Sequence, residues 1–242
     1  MTANFEKAVE FISQFNGCKG LMKIMLNLNK IYDKILFDMD GTLVDSRAVV
    51  ERHLQNWASK NKLDVNAILQ AYHGRRTIDI VREFVSASMD ADAEAAILEA
   101  SELSDVDGIR AVAGASSLLA RLLPSDWAVV TSASRELAIR RLAAAKLPMP
   151  NVLISADDVQ NGKPDPEGYN RAAASLGTVG QRCLIFEDAP TGIAAAIASG
   201  GDVIAIRAAS GIDFDLGCPS VEDFNHISFY VGGRNFCVDT VK

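Results

Sequence analysis

Five short apolar runs recur along the chain, at residues 35–37, 127–131, 152–155, 183–186 and 203–206. Each is too short for a helix and continuous rather than alternating, the pattern of a strand buried on both faces. Residues 115–123, 135–145, 167–176 and 192–198 carry apolar positions at helical spacing instead. Strands alternating with helices predict right-handed βαβ units, hence an α/β, Rossmann-like fold with a parallel sheet covered on both faces. The rhythm breaks once. Between Ser46 and Ala111 only helical patterns occur, such as VVERHLQNWASK, TIDIVREFVSASM and AEAAILEASEL, which predicts an all-α domain inserted after the first strand. At the C-terminus, HISFYVGGRNFCVDTV alternates about a Gly-Gly pair and predicts an edge β-hairpin. Residues 1–33 read as an N-terminal extension, with Phe5, Val9, Ile12 and Phe15 on one face of a short helix. The expected division is therefore 1–33 extension, 34–45 with 112–242 core, and 46–111 helical insert.

Composition narrows the function. The 242 residues are 49% hydrophobic, enough for one large domain with an insertion. A formal net charge of −7 argues against a nucleic-acid partner, although local basic groups or a metal still permit a phosphorylated ligand. Cys18, Cys183, Cys218 and Cys237 are scattered without a CxxC pair, as in a reducing compartment. No apolar run approaches the ~18 residues of a membrane span, and the N-terminal segment lacks the core of a secretory signal. The expectation is a cytoplasmic protein without membrane contact, a monomer or weak dimer.

The chemistry gathers where strands end. In open parallel sheets, ligands bind beyond the carboxyl ends of the strands. The first strand delivers Asp38 and Asp40, the second Thr131 and Ser132, and the fourth Glu187 and Asp188, while Lys163 follows the third. So many carboxylates at one edge repel one another unless a cation joins them, and an oxygen-rich site suits Mg²⁺ with substrate phosphate. There Asp38 can act as a nucleophile toward phosphorus. Asp40, two residues on, can protonate the departing oxygen and then deprotonate the attacking water. Lys163 with the Thr131 or Ser132 hydroxyl would orient the phosphoryl oxygens, helped by N–H groups at the start of the helix after Ser134.

The motifs DMDGT, VVTS, GKPDP and FEDAPTG, in that order over residues 34–208, resemble the four motifs of the haloacid dehalogenase superfamily of aspartate-nucleophile phosphatases. The resemblance implies sheet order 3-2-1-4-5 and a helical C1-type cap formed by the insert. Only the 31 residues 132–162 separate Thr131 from Lys163, which leaves no room for a cap at the family's other position. HGRRTIDIV and GKPDPEGY further resemble the branch of glycerol-phosphate, 2-deoxyglucose-6-phosphate and related sugar- and hexitol-phosphate phosphatases. That implies hydrolysis of a small sugar or polyol phosphate with Mg²⁺. The family's roles fall on Asp38 as nucleophile and metal ligand, and on Asp40 as acid/base whose carbonyl reaches the metal. Lys163 falls at the phosphate, Asp188 on the metal and Glu187 beside it. The phosphate-binding hydroxyl is Thr131 or Ser132.

Several residues have plainer readings. Asp38 and Asp40 could form an Asx turn, but a turn does not require them to follow Ile-Leu-Phe. His73 has no metal-binding partner nearby in sequence, which favours a hydrogen-bonding role. In the insert, His73, Gly74 and Arg76 are the candidates for substrate contact, with a surface ion pair the alternative for Arg76. Asp45-Ser46 most simply caps the first insert helix. A sugar phosphomutase of the same superfamily shares all four motifs, and a non-catalytic binding protein could use the same scaffold, though no motif carboxylate is missing.

Overall fold

The structure, a computed structural model, describes residues 31–208, 217–232 and 235–240. The helix expected over residues 5–15 lies outside the described residues. In chain order the elements are β1 (Lys34–Phe37), β2 (Val44–Asp45), α1 (Arg47–Lys60), α2 (Val65–Ala71), α3 (Thr77–Phe84), α4 (Ala91–Leu103), β3 (Arg110–Ala111) and α5 (Ala115–Leu119). Then follow β4 (Trp127–Val130), α6 (Arg135–Ala144), β5 (Leu153–Ile154), α7 (Glu167–Ser175), β6 (Cys183–Glu187), α8 (Pro190–Ala198), β7 (Asp202–Ile206), β8 (Ser220–Val221), β9 (Ile227–Gly232) and β10 (Asn235–Thr240).

The main sheet runs β5-β4-β1-β6-β7-β8, and every pairing in it is parallel. Its first five strands in chain order stand 3-2-1-4-5, with β8 added beyond. Both faces are covered. Ile35 and Phe37 point into one core with Leu118, Leu119, Leu137 and Leu142 of α5 and α6. Leu36, between them, points into the other with Tyr169, Ala172, Ile193 and Ala196 of α7 and α8. This is why the strands read as unbroken apolar runs. The first core continues upstream of β1, because Tyr32 is fully buried in it.

The insert carries a hydrophobic cluster of its own: Leu54 and Trp57 of α1, Ile68 of α2, Ile80 and Val81 of α3, and Ala95 and Leu98 of α4. Its two chain crossings are tied together. β2 and β3 pair antiparallel, Val44 with Ala111 and Asp45 with Arg110, and Arg110 reaches the Asp45 carboxylate at 2.7 Å. The hairpin pairs β9 with β10 from Ile227↔Thr240 to Gly232↔Asn235, as a two-stranded sheet separate from the main one.

Candidate active site

The chain moves outward from β1 to β4 and β5, then returns to place β6 on β1's other side. The strand ends on either side of that reversal, β1 and β6, form the crevice where open α/β sheets bind ligands. Asp38 leaves β1 still attached, its N–H donating to the Phe186 carbonyl at 2.9 Å. The next residues fold into a tight turn in which the Leu43 and Val44 N–H groups both donate to the Met39 carbonyl. Gly41 makes the turn possible. Its φ is +87°, and a Cβ there would run into the Asp188 carboxylate.

Beyond β6, the Glu187 carboxylate organises the second wall. One oxygen accepts the Asp188 and Ala189 N–H groups at 2.8 and 2.9 Å. The other accepts from Lys163 Nζ at 2.6 Å and Tyr169 Oη at 3.0 Å. Lys163 also donates to Asp38 Oδ1 at 2.5 Å, so one ammonium bridges the two strand ends.

The charges do not balance. Asp38, Glu187 and Asp188 are 5, 0 and 4% exposed, and Lys163 is 9% exposed. Carboxylate oxygens of the three acids lie within 4.8 Å of one another. Burial, reinforced by Glu187 and only partly opposed by Lys163, pushes the Asp38 carboxyl up to about 8. Burial and the neighbouring Asp38 and Glu187 charges push Asp188 well above the usual carboxylate range. An all-oxygen, negatively charged donor set of this kind fits a hard divalent cation such as Mg²⁺. Glu187 stands within that set, but its oxygens already accept four hydrogen bonds.

Asp40 has partners of its own outside this cluster. Its Oδ1 accepts from Ser46 Oγ at 2.5 Å and its Oδ2 from Arg141 at 2.9 Å. Ser46 occupies the N-cap position of α1, yet makes no side-chain bond to that helix, so the expected cap is corrected: its hydroxyl serves Asp40. Two of the N–H groups expected to cradle phosphate at the start of α6 are already taken up. Arg135 N–H donates to Asp157 at 2.8 Å, and Leu137 N–H to Ser134 Oγ at 3.4 Å.

A cleft partly open to solvent spreads from these groups to the insert, with a cavity volume of about 100 Å³. Asp38, Asp40, Thr131, Ser132, Asp188, His73 and Gly74 line it; Arg76 does not. Two hydrogen bonds dock the insert on the core here, Ser132 Oγ to the Gly74 carbonyl at 2.8 Å and Thr191 Oγ1 to the His73 carbonyl at 3.1 Å. Thr131 Oγ1 accepts from the Ala133 N–H at 3.1 Å. Burial and the nearby Arg47 hold the His73 imidazole below its ordinary value, and its Nε2 is buried without a hydrogen-bond partner. Arg76 lies outside the cleft because its guanidinium is bound to Asp79 at 2.7 and 2.9 Å and to the Gln160 carbonyl at 3.1 Å.

Sequence reasoning missed Tyr72, Arg47, Glu102 and Arg141, all of which line the cleft. A signal existed for two of them. Arg141 sits on the buried stripe Leu137, Ala138 and Leu142 of α6, and Glu102 on the stripe Ala95 and Leu98 of α4. A charge on an apolar stripe is a buried charge, and buried charges have partners.

The profile of the family described as haloacid dehalogenase-like hydrolase matches residues 35–206. Hexitol phosphatase A of Escherichia coli strain K12 is 42% identical over 177 residues, covering 72% of this chain and 82% of that one. Glycerol-1-phosphate phosphohydrolase 2 of Saccharomyces cerevisiae is 30% identical over 223 residues, covering 86% and 88%. Among solved structures, β-phosphoglucomutase from Clostridium difficile superposes with a TM-score of 0.69 at 18% identity, covering 80% of this chain and 92% of that one.

Proposed function

The chain belongs to the haloacid dehalogenase-like hydrolases, and from that premise we propose that it hydrolyses the phosphate monoester of a small sugar or polyol. The observation that carries the reading is the buried cluster of Asp38, Glu187 and Asp188, an excess of negative charge that one ammonium, Lys163, ties to Asp38 and Glu187, with Asp38 and Asp188 lining the cleft. The named phosphatase relatives support the substrate class.

Lys163 grips one oxygen of Asp38 and the other attacks phosphorus. As the P–O bond to the sugar or polyol breaks, Asp40 gives its proton to the departing oxygen. The phosphoryl group now sits on Asp38 as an aspartyl phosphate. Asp40, left as a carboxylate, takes a proton from water, which attacks phosphorus and releases inorganic phosphate with Asp38 restored. Thr131, whose oxygen already accepts from Ala133, is the hydroxyl we assign to a phosphoryl oxygen, because Ser132 is committed to Gly74. Asp38, the Asp40 carbonyl and Asp188 would hold Mg²⁺, which supplies positive charge to the carboxylates and the phosphoryl oxygens when bound. Glu187 holds Lys163 and the turn behind the metal ligands. His73, which lines the cleft, is the residue we assign to a substrate hydroxyl.

The test is Mg²⁺-dependent release of inorganic phosphate from a panel of sugar and polyol phosphates. Turnover of at least one, abolished by EDTA and restored by Mg²⁺, is expected. An isomerised sugar phosphate without free phosphate would favour the mutase alternative, and silence across the panel would favour a binding protein.

A further inference from the structure

Arg141 is a costly residue to bury. It is 4% exposed, on a helix face otherwise built of Leu137, Ala138 and Leu142. One of its terminal nitrogens donates to Asp40 Oδ2 at 2.9 Å and the other to Glu102 Oε2 at 2.8 Å. Glu102 is itself 5% exposed, in the last turn of α4 and on that helix's apolar face. Replacing a buried ion triad by apolar side chains is often neutral or stabilising, so stability alone does not account for charges on two apolar stripes that meet at one carboxylate. Ser46 takes the other oxygen of that carboxylate at 2.5 Å. Asp40 is thus held at both oxygens, by residues from two different elements.

We propose that Arg141, anchored by Glu102, is a positioning residue that aims the Asp40 carboxyl at the leaving oxygen. The inference rests on the phosphomonoesterase reading above. A general acid must lie within hydrogen-bond reach of the atom it protonates, and an aspartate held at one oxygen alone still swings about its side-chain bonds. Arg141 stands on the core helix α6 and Glu102 on α4 of the insert. The aim of Asp40 is therefore set with the insert docked. Arg141 does not touch the reacting atoms in this role; it acts through Asp40.

The experiment compares kcat/KM for p-nitrophenyl phosphate, phenyl phosphate and a polyol phosphate in wild-type and Arg141→Met enzyme with Mg²⁺. This constant covers the steps through departure of the first product, where acid help matters most for the poorest leaving group. Phenyl and nitrophenyl esters share a shape and lack polyol hydroxyls, so their ratio reports leaving-group protonation, and it is independent of the fraction of enzyme folded. In Arg141→Met the phenyl and polyol esters should each lose about tenfold more than the nitrophenyl ester. The double variant Arg141→Met/Glu102→Gln removes the unpaired Glu102 charge. It should regain melting temperature while the ratio stays depressed.

An unchanged ratio in Arg141→Met, or a ratio restored in the double variant, overturns the proposal, because Arg141 would then only neutralise Glu102. A loss confined to the polyol ester also overturns it and places Arg141 on the substrate through its buried, unpartnered Nε. Wild-type enzyme inactive on all three esters overturns the phosphomonoesterase reading, and this inference falls with it.

Discussion

Asp38 is held in a charge balance that no group among the described residues completes. Asp38→Asn should abolish turnover with the fold intact, because an amide neither attacks phosphorus nor binds a hard cation well. The loss should exceed the ~10²–10⁴ typical of an acid/base group, measured as phosphate release by purified enzyme with matching circular dichroism. The same carboxyl predicts a pH dependence of stability. Burial pushes Asp38 up to about 8 from an ordinary value of 3.8. Between those values the folded, metal-stripped chain keeps a proton that the unfolded chain has released. Its contribution is fully present below about pH 4 and is lost as pH rises toward 8. Urea denaturation in EDTA at stepped pH should show stability falling over that window, and Asp38→Asn should flatten the slope. A slope of equal size in the variant would assign the effect to other groups. Asp38, Asp188 and Lys163 are legible because each follows a strand or a Gly-Pro loop, where chemistry in such sheets collects. Arg141 and Glu102 are not, because a helix shows its period through its apolar members and a single charge on the stripe leaves that period intact.

At the scale of elements, the joint between insert and core rests on a few backbone groups. Gly74 has a φ of +73°, and a Cβ would come within 2.5 Å of Thr191 Oγ1 and 2.7 Å of Ala189 Cβ. Gly74→Ala should therefore cost about 1–2 kcal/mol in backbone strain alone and push the insert off the core. kcat/KM should fall about tenfold on polyol and aryl phosphates alike, since the change displaces a wall rather than a specific contact. A normal kcat/KM on both would show that the joint tolerates the shift. Arg76→Ala should behave in the same even-handed way and more mildly. The residue lies outside the cleft and straps Asp79 and the Gln160 carbonyl. A loss confined to polyol substrates would return it to the substrate. The long elements were readable because a sheet covered on both faces writes continuous apolar runs, and the amphipathic helices write their own period. β2, β3 and β8 were not, since each is a pair with one polar member; β5, equally short, shows only because the apolar run 152–155 encloses it.

The whole molecule ties stability to its ligand. Buried carboxylates in excess of cations leave the fold with repulsion that the proposed divalent ion would relieve, and any ligand that binds only the folded state stabilises it. The melting temperature should rise with Mg²⁺, by the equivalent of about 2.7 kcal/mol at a hundredfold excess over Kd. Asp188→Asn should remove most of that increment. Differential scanning fluorimetry across a Mg²⁺ titration decides it, and an increment unchanged in the variant would place the ion elsewhere.

The two-rung ladder between β2 and β3 has a consequence for how such a protein diversifies. Val44 and Asp45 stand directly beside Ala111 and Arg110, so about 5 Å separates the points where the chain leaves the core and returns to it. Any helical unit whose ends meet at that spacing can be spliced in without moving a sheet strand. A chimera carrying a relative's insert between Asp45 and Arg110 should take on the relative's choice of alcohol, provided the new lid brings its own counterparts of Ser46 and Glu102 to hold Asp40 and Arg141.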